Sequence, residues 1–172
     1  PWLLVAPVIE PGRKREVYLP EGAWFDYWTG EELEGPKNLR LHVPLDVLPL
    51  YVRAGAIIPR MQRTWRVPEE RIDPLILEVW PHGSSSYHLY EDEGVTEFNC
   101  DQGKDGIAFD WSGPLPRRVI LHFKGINKPK KITITTSEEP DKTQELEGMA
   151  LDKKYVLAVP ETAGAQLILV FK

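Results

Sequence analysis

Chemistry needs a few reactive side-chain types within reach of one another, and carboxylates are the most abundant candidates here, with 26 Asp and Glu against 21 Lys and Arg. Hydrolysis of a glycosidic bond, for example, needs two carboxyl groups, about 5–5.5 Å apart for retention or about 6.5–9.5 Å for inversion. Asp26 is the carboxylate that its neighbours single out, because it lies inside Trp24-Phe25-Asp26-Tyr27-Trp28. Apolar neighbours raise a carboxyl pKa and make the group an acid. The competing reading has Asp26 on the other side of the strand, accepting a hydrogen bond from a turn N–H. The rings also offer flat apolar faces to sugar C–H groups, which makes Trp24, Trp28 and Trp80 candidates for carbohydrate stacking. The alternative is that they fill a core or pack on a neighbouring domain.

Other chemistries find less support. His42, His82, His88 and His122 share no metal-ligand spacing on a common element. Glu91-Asp92-Glu93-Gly94 clusters hard oxygens but lacks the spaced ligand set of a calcium loop, so it reads as a polar hairpin turn. Ser84-Ser85-Ser86 is a turn cluster with no nucleophile motif around it. Cys100 has no basic residue within three positions to lower its pKa. As the only cysteine, it leaves no partner for an internal disulfide. No metal and no cofactor are expected. The net charge of -5 argues against nucleic acid, which needs a basic face. No apolar run approaches the roughly 18 residues of a membrane span.

The elements that must position these residues are short. Gly at 13 positions and Pro at 16 break the chain too often for long helices. Glu16 to Leu19 alternates and stops at Pro20, Glu21-Gly22 reads as a turn, and Trp24 to Trp28 reads as an aromatic strand. On a regular strand Trp24, Asp26 and Trp28 share one face, with Phe25 and Tyr27 on the other. Leu39, Leu41 and Val43 alternate with Arg40 and His42. Residues 61–74, rich in Arg and Glu and broken by Pro68 and Pro74, read as a connection with a short helical turn at Glu69-Glu70-Arg71. Strands follow at Leu75 to Trp80, Ile107 to Trp111, Val119 to Phe123, Ile132 to Thr135, Tyr155 to Val159 and Leu167 to Phe171. Turn signals about every 8–12 residues are the rhythm of a sandwich. The expectation is all-β: two consecutive antiparallel β-sandwich domains, 1–66 and 67–172. The chain opens inside an apolar run bounded by Pro7 and Pro11, as expected of a piece of a longer polypeptide, so missing targeting signals say nothing about location.

These stretches carry a resemblance. Leu3-Leu4-Val5-Ala6-Pro7-Val8, then Val17-Tyr18-Leu19-Pro20-Glu21-Gly22-Ala23-Trp24-Phe25-Asp26-Tyr27-Trp28-Thr29-Gly30, closely resemble glycoside hydrolase family 31, the α-glucosidases and α-xylosidases. The match continues through Pro44-Leu45-Asp46 and Pro49 to Pro59 and resumes at Leu89-Tyr90-Glu91-Asp92-Glu93-Gly94. Beyond residue 95 it thins to a pattern of strands. In that family these motifs follow the catalytic (β/α)8 barrel and form a proximal and then a distal C-terminal β-sandwich. The resemblance therefore implies a non-catalytic region that braces the barrel of the same polypeptide. The catalytic aspartates of the family lie in the barrel, so Asp26 inherits no catalytic role. A carbohydrate-binding module using exposed aromatics is the rival reading, and a small hydrolase built on Asp26 is a third.

Overall fold

The structure, a computed structural model, describes residues 2–66, 71–151 and 154–171. Every regular element in them is a β-strand, so the all-β expectation holds, and there is no helix among the described residues. The helical turn expected at Glu69-Glu70-Arg71 involves residues 69 and 70, which lie outside the described residues. The chain divides into two compact units, Pro1–Ala56 and Ile57–Lys172.

The first unit is a four-stranded antiparallel sheet of β1 (Leu3–Val5), β2 (Lys14–Asp26), β3 (Glu32–His42) and β4 (Leu50–Arg53), in the order β1-β4-β2-β3. β2 runs through the position where a turn was expected. Its pairing with β3 slips once, between Leu19↔Lys37 and Gly22↔Gly35, which makes Pro20-Glu21 a bulge. The bulge changes which residues face inward: Val17 and Leu19 are buried before it, and Trp24, at an even position, is buried after it. A one-residue slip flips side chains to the other face, so the aromatic stretch reaches the same core. Two local features permit it. Gly22 takes a φ of 110°, a left-handed value that glycine adopts without penalty. A Cβ on Gly35 would lie 1.9 Å from the Pro20 carbonyl oxygen, so only glycine lets the strands close there. The core comprises Ala6, Val17, Leu19, Trp24 and Tyr51, flanked by Leu4, Leu33, Leu39 and Leu41.

The second unit contains β5 (Ile57–Arg60), β6 (Leu75–Val79), β7 (Ser84–Glu91), β8 (Gly94–Gln102), β9 (Gly106–Lys124), β10 (Lys131–Thr136), β11 (Thr143–Glu145), β12 (Met149–Leu151) and β13 (Lys154–Val170). Two of these are longer than the sequence suggested. Ile107 to Trp111 and Val119 to Phe123 are parts of one strand, β9, and Tyr155 to Val159 and Leu167 to Val170 are parts of β13. The two strands pair along their length except at Ser112–Arg117 and Val159–Gly164, where the register shifts. There they bend. Phe109 and Phe123 lie on β9, yet their rings meet edge to face with centroids 5.9 Å apart, whereas a straight strand would separate them by more than about 40 Å. The continuous ladder is thus folded into two layers. One holds β7, β8, the first half of β9, the second half of β13, β10 and β11. The other holds β5, β6, the remaining halves of β9 and β13, and β12.

Inward residues from both layers form one core, including Leu77, Phe98, Phe109, Trp111, Leu121, Phe123, Leu157 and Leu167. Period-2 alternation accounts for it: burial in β13 falls on Tyr155, Leu157 and Val159, then on Leu167 and Leu169. One pair departs from the antiparallel expectation. β6 runs parallel to β9, from Leu75↔Val119 to Val79↔Phe123. A parallel pair requires a long crossover, and the β7–β8 hairpin supplies it.

Candidate functional site

Asp26 is the last residue of β2, and the strand face predicted for it ends there. Its Oδ1 accepts hydrogen bonds from the backbone N–H of Trp28 at 2.9 Å and of Thr29 at 2.7 Å. The Asp26 carbonyl oxygen also accepts from Gly30 N–H at 2.8 Å. A carboxylate that closes a turn through two backbone donors is the familiar Asx geometry. This matches the hydrogen-bonding part of the competing reading for Asp26.

The three tryptophan candidates lie in different surroundings. Trp24 is 3% exposed in the first core, with its indole N–H donating to the Pro20 carbonyl at 2.9 Å. Trp80 is 2% exposed, and the Lys124 ammonium lies 5.5 Å from its ring centroid. Neither presents an open ring face in this structure. Trp28 is 58% exposed. It sits in the turn after β2, so it does not share a strand face with Trp24. Its indole N–H donates to the Leu48 carbonyl at 2.7 Å, and the ring packs edge to face on Tyr27 at 5.1 Å. The ring is therefore tethered at the surface and largely exposed.

Around Trp28 the first unit exposes further apolar surface. Leu3 and Val5 on the β1 edge, Ile9 in the following loop, and Leu45, Val47 and Leu48 between β3 and β4 are all exposed. Ala6 N–H bonds the Pro49 carbonyl at 3.0 Å and brings the two loops together. Between them lies a groove of about 510 Å³ lined by Pro7, Val8, Val43, Leu45, Val47 and Leu48, among others. Isolated exposed apolar side chains are normal, whereas a patch of them is the kind of surface that docks a partner or a ligand.

In the second unit the Glu91-Asp92-Glu93-Gly94 motif forms the turn of the β7–β8 hairpin, with Glu91 opposite Gly94. Glu91 carries a function the sequence reading missed. Its Oε2 accepts from Nη2 of Arg117, which is 1% exposed. Arg117 lies in the bend of β9, in Pro114-Leu115-Pro116-Arg117, a stretch that reads as connection rather than core. A buried guanidinium demands a carboxylate partner, so the acidic hairpin is tied to the bend. Glu78 is a fully buried carboxylate. It bonds Arg60 at 2.8 Å, and Lys124 lies 3.5 Å away. Its alternating apolar strand gave no signal of this pair. His122, opposite Glu78 on β9, has its pKa lowered by burial and by the nearby Lys154, against the pull of Glu78.

His88 lies 3.8 Å from Glu97 on an exposed face, and Cys100 is buried, with its thiol pKa pushed up to about 12 by desolvation. Among the described residues no group of three or more His, Cys, Asp or Glu side chains converges as a metal site. The described residues contain no helix long and apolar enough to cross a membrane.

The chain has relatives among known proteins. Residues 1–58 match the glycosyl hydrolase family 31 C-terminal domain. An α-xylosidase of Saccharolobus solfataricus is 40% identical over 106 residues, covering 60% of this chain and 14% of that protein. Human neutral α-glucosidase AB is 38% identical over 165 residues, covering 81% of this chain and 17% of that protein. Among solved structures, a family 31 dextranase of Flavobacterium johnsoniae in complex with glucose superposes with a TM-score of 0.83 at 22% identity. That match covers 98% of this chain and 26% of the dextranase. The chain thus spans about one seventh of the length of its α-xylosidase relative, from 14% coverage.

Proposed function

We propose a supporting role for this chain from the following premise: it is a C-terminal domain region of glycosyl hydrolase family 31, homologous to that family's α-glucosidases and α-xylosidases. The region is the non-catalytic C-terminal part of family 31 α-glycosidases, whose relatives differ in the sugar they act on. In our reading it braces a catalytic (β/α)8 barrel carried on the same polypeptide. The parent enzyme hydrolyses terminal α-linked sugars, as an α-glucosidase does.

The observation that carries this reading is the exposed apolar surface of the first unit, from the β1 edge through the two adjoining loops to Trp28. Its area has no partner within the unit, and burying it against the barrel would stabilise both by roughly 25 cal/mol per Å² of apolar surface. A test compares Leu48→Asp in the isolated chain and in the polypeptide extended through its barrel. Leu48 is exposed in the chain alone, so the substitution should leave the isolated chain nearly unchanged and lower the melting temperature of the extended protein by several degrees. Equal effects in the two settings would overturn the bracing role.

Carbohydrate stacking has a narrower basis. Of the three tryptophans named from the sequence, Trp28 alone is both exposed and held in place by a hydrogen bond. A loss of glucan binding on Trp28→Ala, with the extended protein's stability intact, would favour that reading over bracing.

A further inference from the structure

The outer face of the layer that holds β7, β8, β10 and β11 carries an arrangement that its register makes plain. Ser86 pairs with Asn99, Asn99 with Asp110, Asp110 with Gln166, Gln166 with Thr135, and Thr135 with Thr143. One polar side chain from each of the six strands therefore stands in a single cross-strand row. At about 4.8 Å between strands, the row is roughly 24 Å long. All six residues are exposed or half-buried. Neighbours within the row are pre-aligned: Asn99 Nδ2 donates to Asp110 Oδ1 at 3.1 Å, and the hydroxyls of Thr135 and Thr143 lie 3.1 Å apart.

This face is poor in cations. Across the strand segments of this layer the sole Lys or Arg is Lys131, at the far side and paired with Glu145 at 2.6 Å. The other layer, by contrast, carries Arg60, Lys124 and Lys154. Along the row the side chains are amides, hydroxyls and one carboxylate, and on the same face Ile168, two residues from Gln166, exposes an apolar side chain. Beyond the row, His88 and Glu97 stand opposite each other, and then Tyr90, with its ring 76% exposed, stands opposite Val95. Carboxylates with no accompanying cation repel an anionic ligand. Evenly spaced acceptors and donors beside an open aromatic ring suit a neutral polyhydroxylated chain, because hydroxyls donate to carboxylates and amides while the ring covers C–H groups.

We propose that this face is a secondary binding surface for a neutral α-glucan, with Asn99, Asp110 and Gln166 as its hydrogen-bonding centre and Tyr90 as its stacking ring. The proposal rests on the reading of the chain as part of an α-glycan-processing enzyme, but it concerns the second unit and is independent of bracing.

The test is affinity electrophoresis of the 172-residue chain in gels containing dextran or soluble starch. The wild-type chain should be retarded in at least one of the two. An Asn99→Ala/Gln166→Ala variant and a Tyr90→Ala variant should each weaken that retardation about tenfold, with unchanged far-ultraviolet circular dichroism and melting temperature. Lys154→Ala, on the opposite layer, should be retarded as much as wild type when each is compared with its own mobility in a polysaccharide-free gel. No retardation of the wild type in either gel, or retardation that survives both substitutions, would overturn the proposal. Retardation abolished by Trp28→Ala alone would move the site to the first unit and also overturn it. None of these outcomes bears on bracing, which is read from the extended polypeptide.

Discussion

Trp24 and Trp28 are four positions apart in one aromatic stretch, and the structure gives them opposite roles. Trp24 fills the first core and bonds the bulge carbonyl, whereas Trp28 is tethered at the surface. Trp24→Ala should therefore cost about 3–5 kcal/mol. Trp28→Ala should cost less than about 1 kcal/mol in the isolated chain, since surface substitutions seldom do more. Chemical denaturation of both variants checks this, and a Trp28→Ala cost equal to that of Trp24→Ala would refute the assignment. The sequence made the stretch legible as an aromatic strand, and Asp26 as a turn acceptor. The exposure of Trp28 was not legible, because the strand's end at Asp26 depends on hydrogen bonds that the carboxylate makes two and three residues ahead. Arg117 escaped for a related reason. The first arginine of an Arg117-Arg118 pair, behind Pro114 and Pro116, carries no sign that a bent strand will bury it.

At the scale of elements, the bends of β9 and β13 decide the architecture. Short apolar runs were readable one by one from their alternation. That two pairs of them join into long folded strands was not, because Pro114, Pro116 and Pro160 read as breaks. In the structure these prolines sit where the register shifts and ladder hydrogen bonds are missing anyway, which is where sheets tolerate proline. The β13 bend is fastened by Glu138. Its carboxylate accepts from the Thr162 hydroxyl and from Ala163 N–H at 3.0 Å. The Thr162 bond, followed by the backbone bond, lowers the Glu138 pKa from the usual 4.5 to about 2. The folded state thus favours the charged form. The stabilisation is fully present above the unfolded value near 4.5 and is lost as pH falls toward about 2. Glu138→Gln should flatten this part of the acid limb when melting temperature is followed between pH 5 and pH 2, a window set by those two values. An acid limb identical to wild type would show that the bend does not depend on the carboxylate.

At the scale of the whole molecule, the sequence reading placed a domain boundary at 66/67, and we retain it as a proposal about where the backbone is open to cleavage. Residues 61–66 contain no strand, and Trp65 is fully exposed. Limited proteolysis should cut there first. The two fragments should co-elute under native conditions, because β5 remains hydrogen-bonded to β6 from Ile57↔Val79 to Arg60↔Ile76. Resistance of 61–66 with cleavage confined to residues 95–105 would contradict the boundary.

Docking of the first unit's apolar surface on a catalytic barrel would be read out by amide hydrogen exchange. Exchange is followed by mass spectrometry in the 172-residue chain and in the same polypeptide extended to include the proposed catalytic barrel. With docking, peptides covering the β1 edge, Leu3–Val5, and the loop of residues 43–49 become strongly protected in the extended protein, while the turn of the β7–β8 hairpin is unchanged. Equal exchange of the β1 edge and the 43–49 loop in both forms would contradict it.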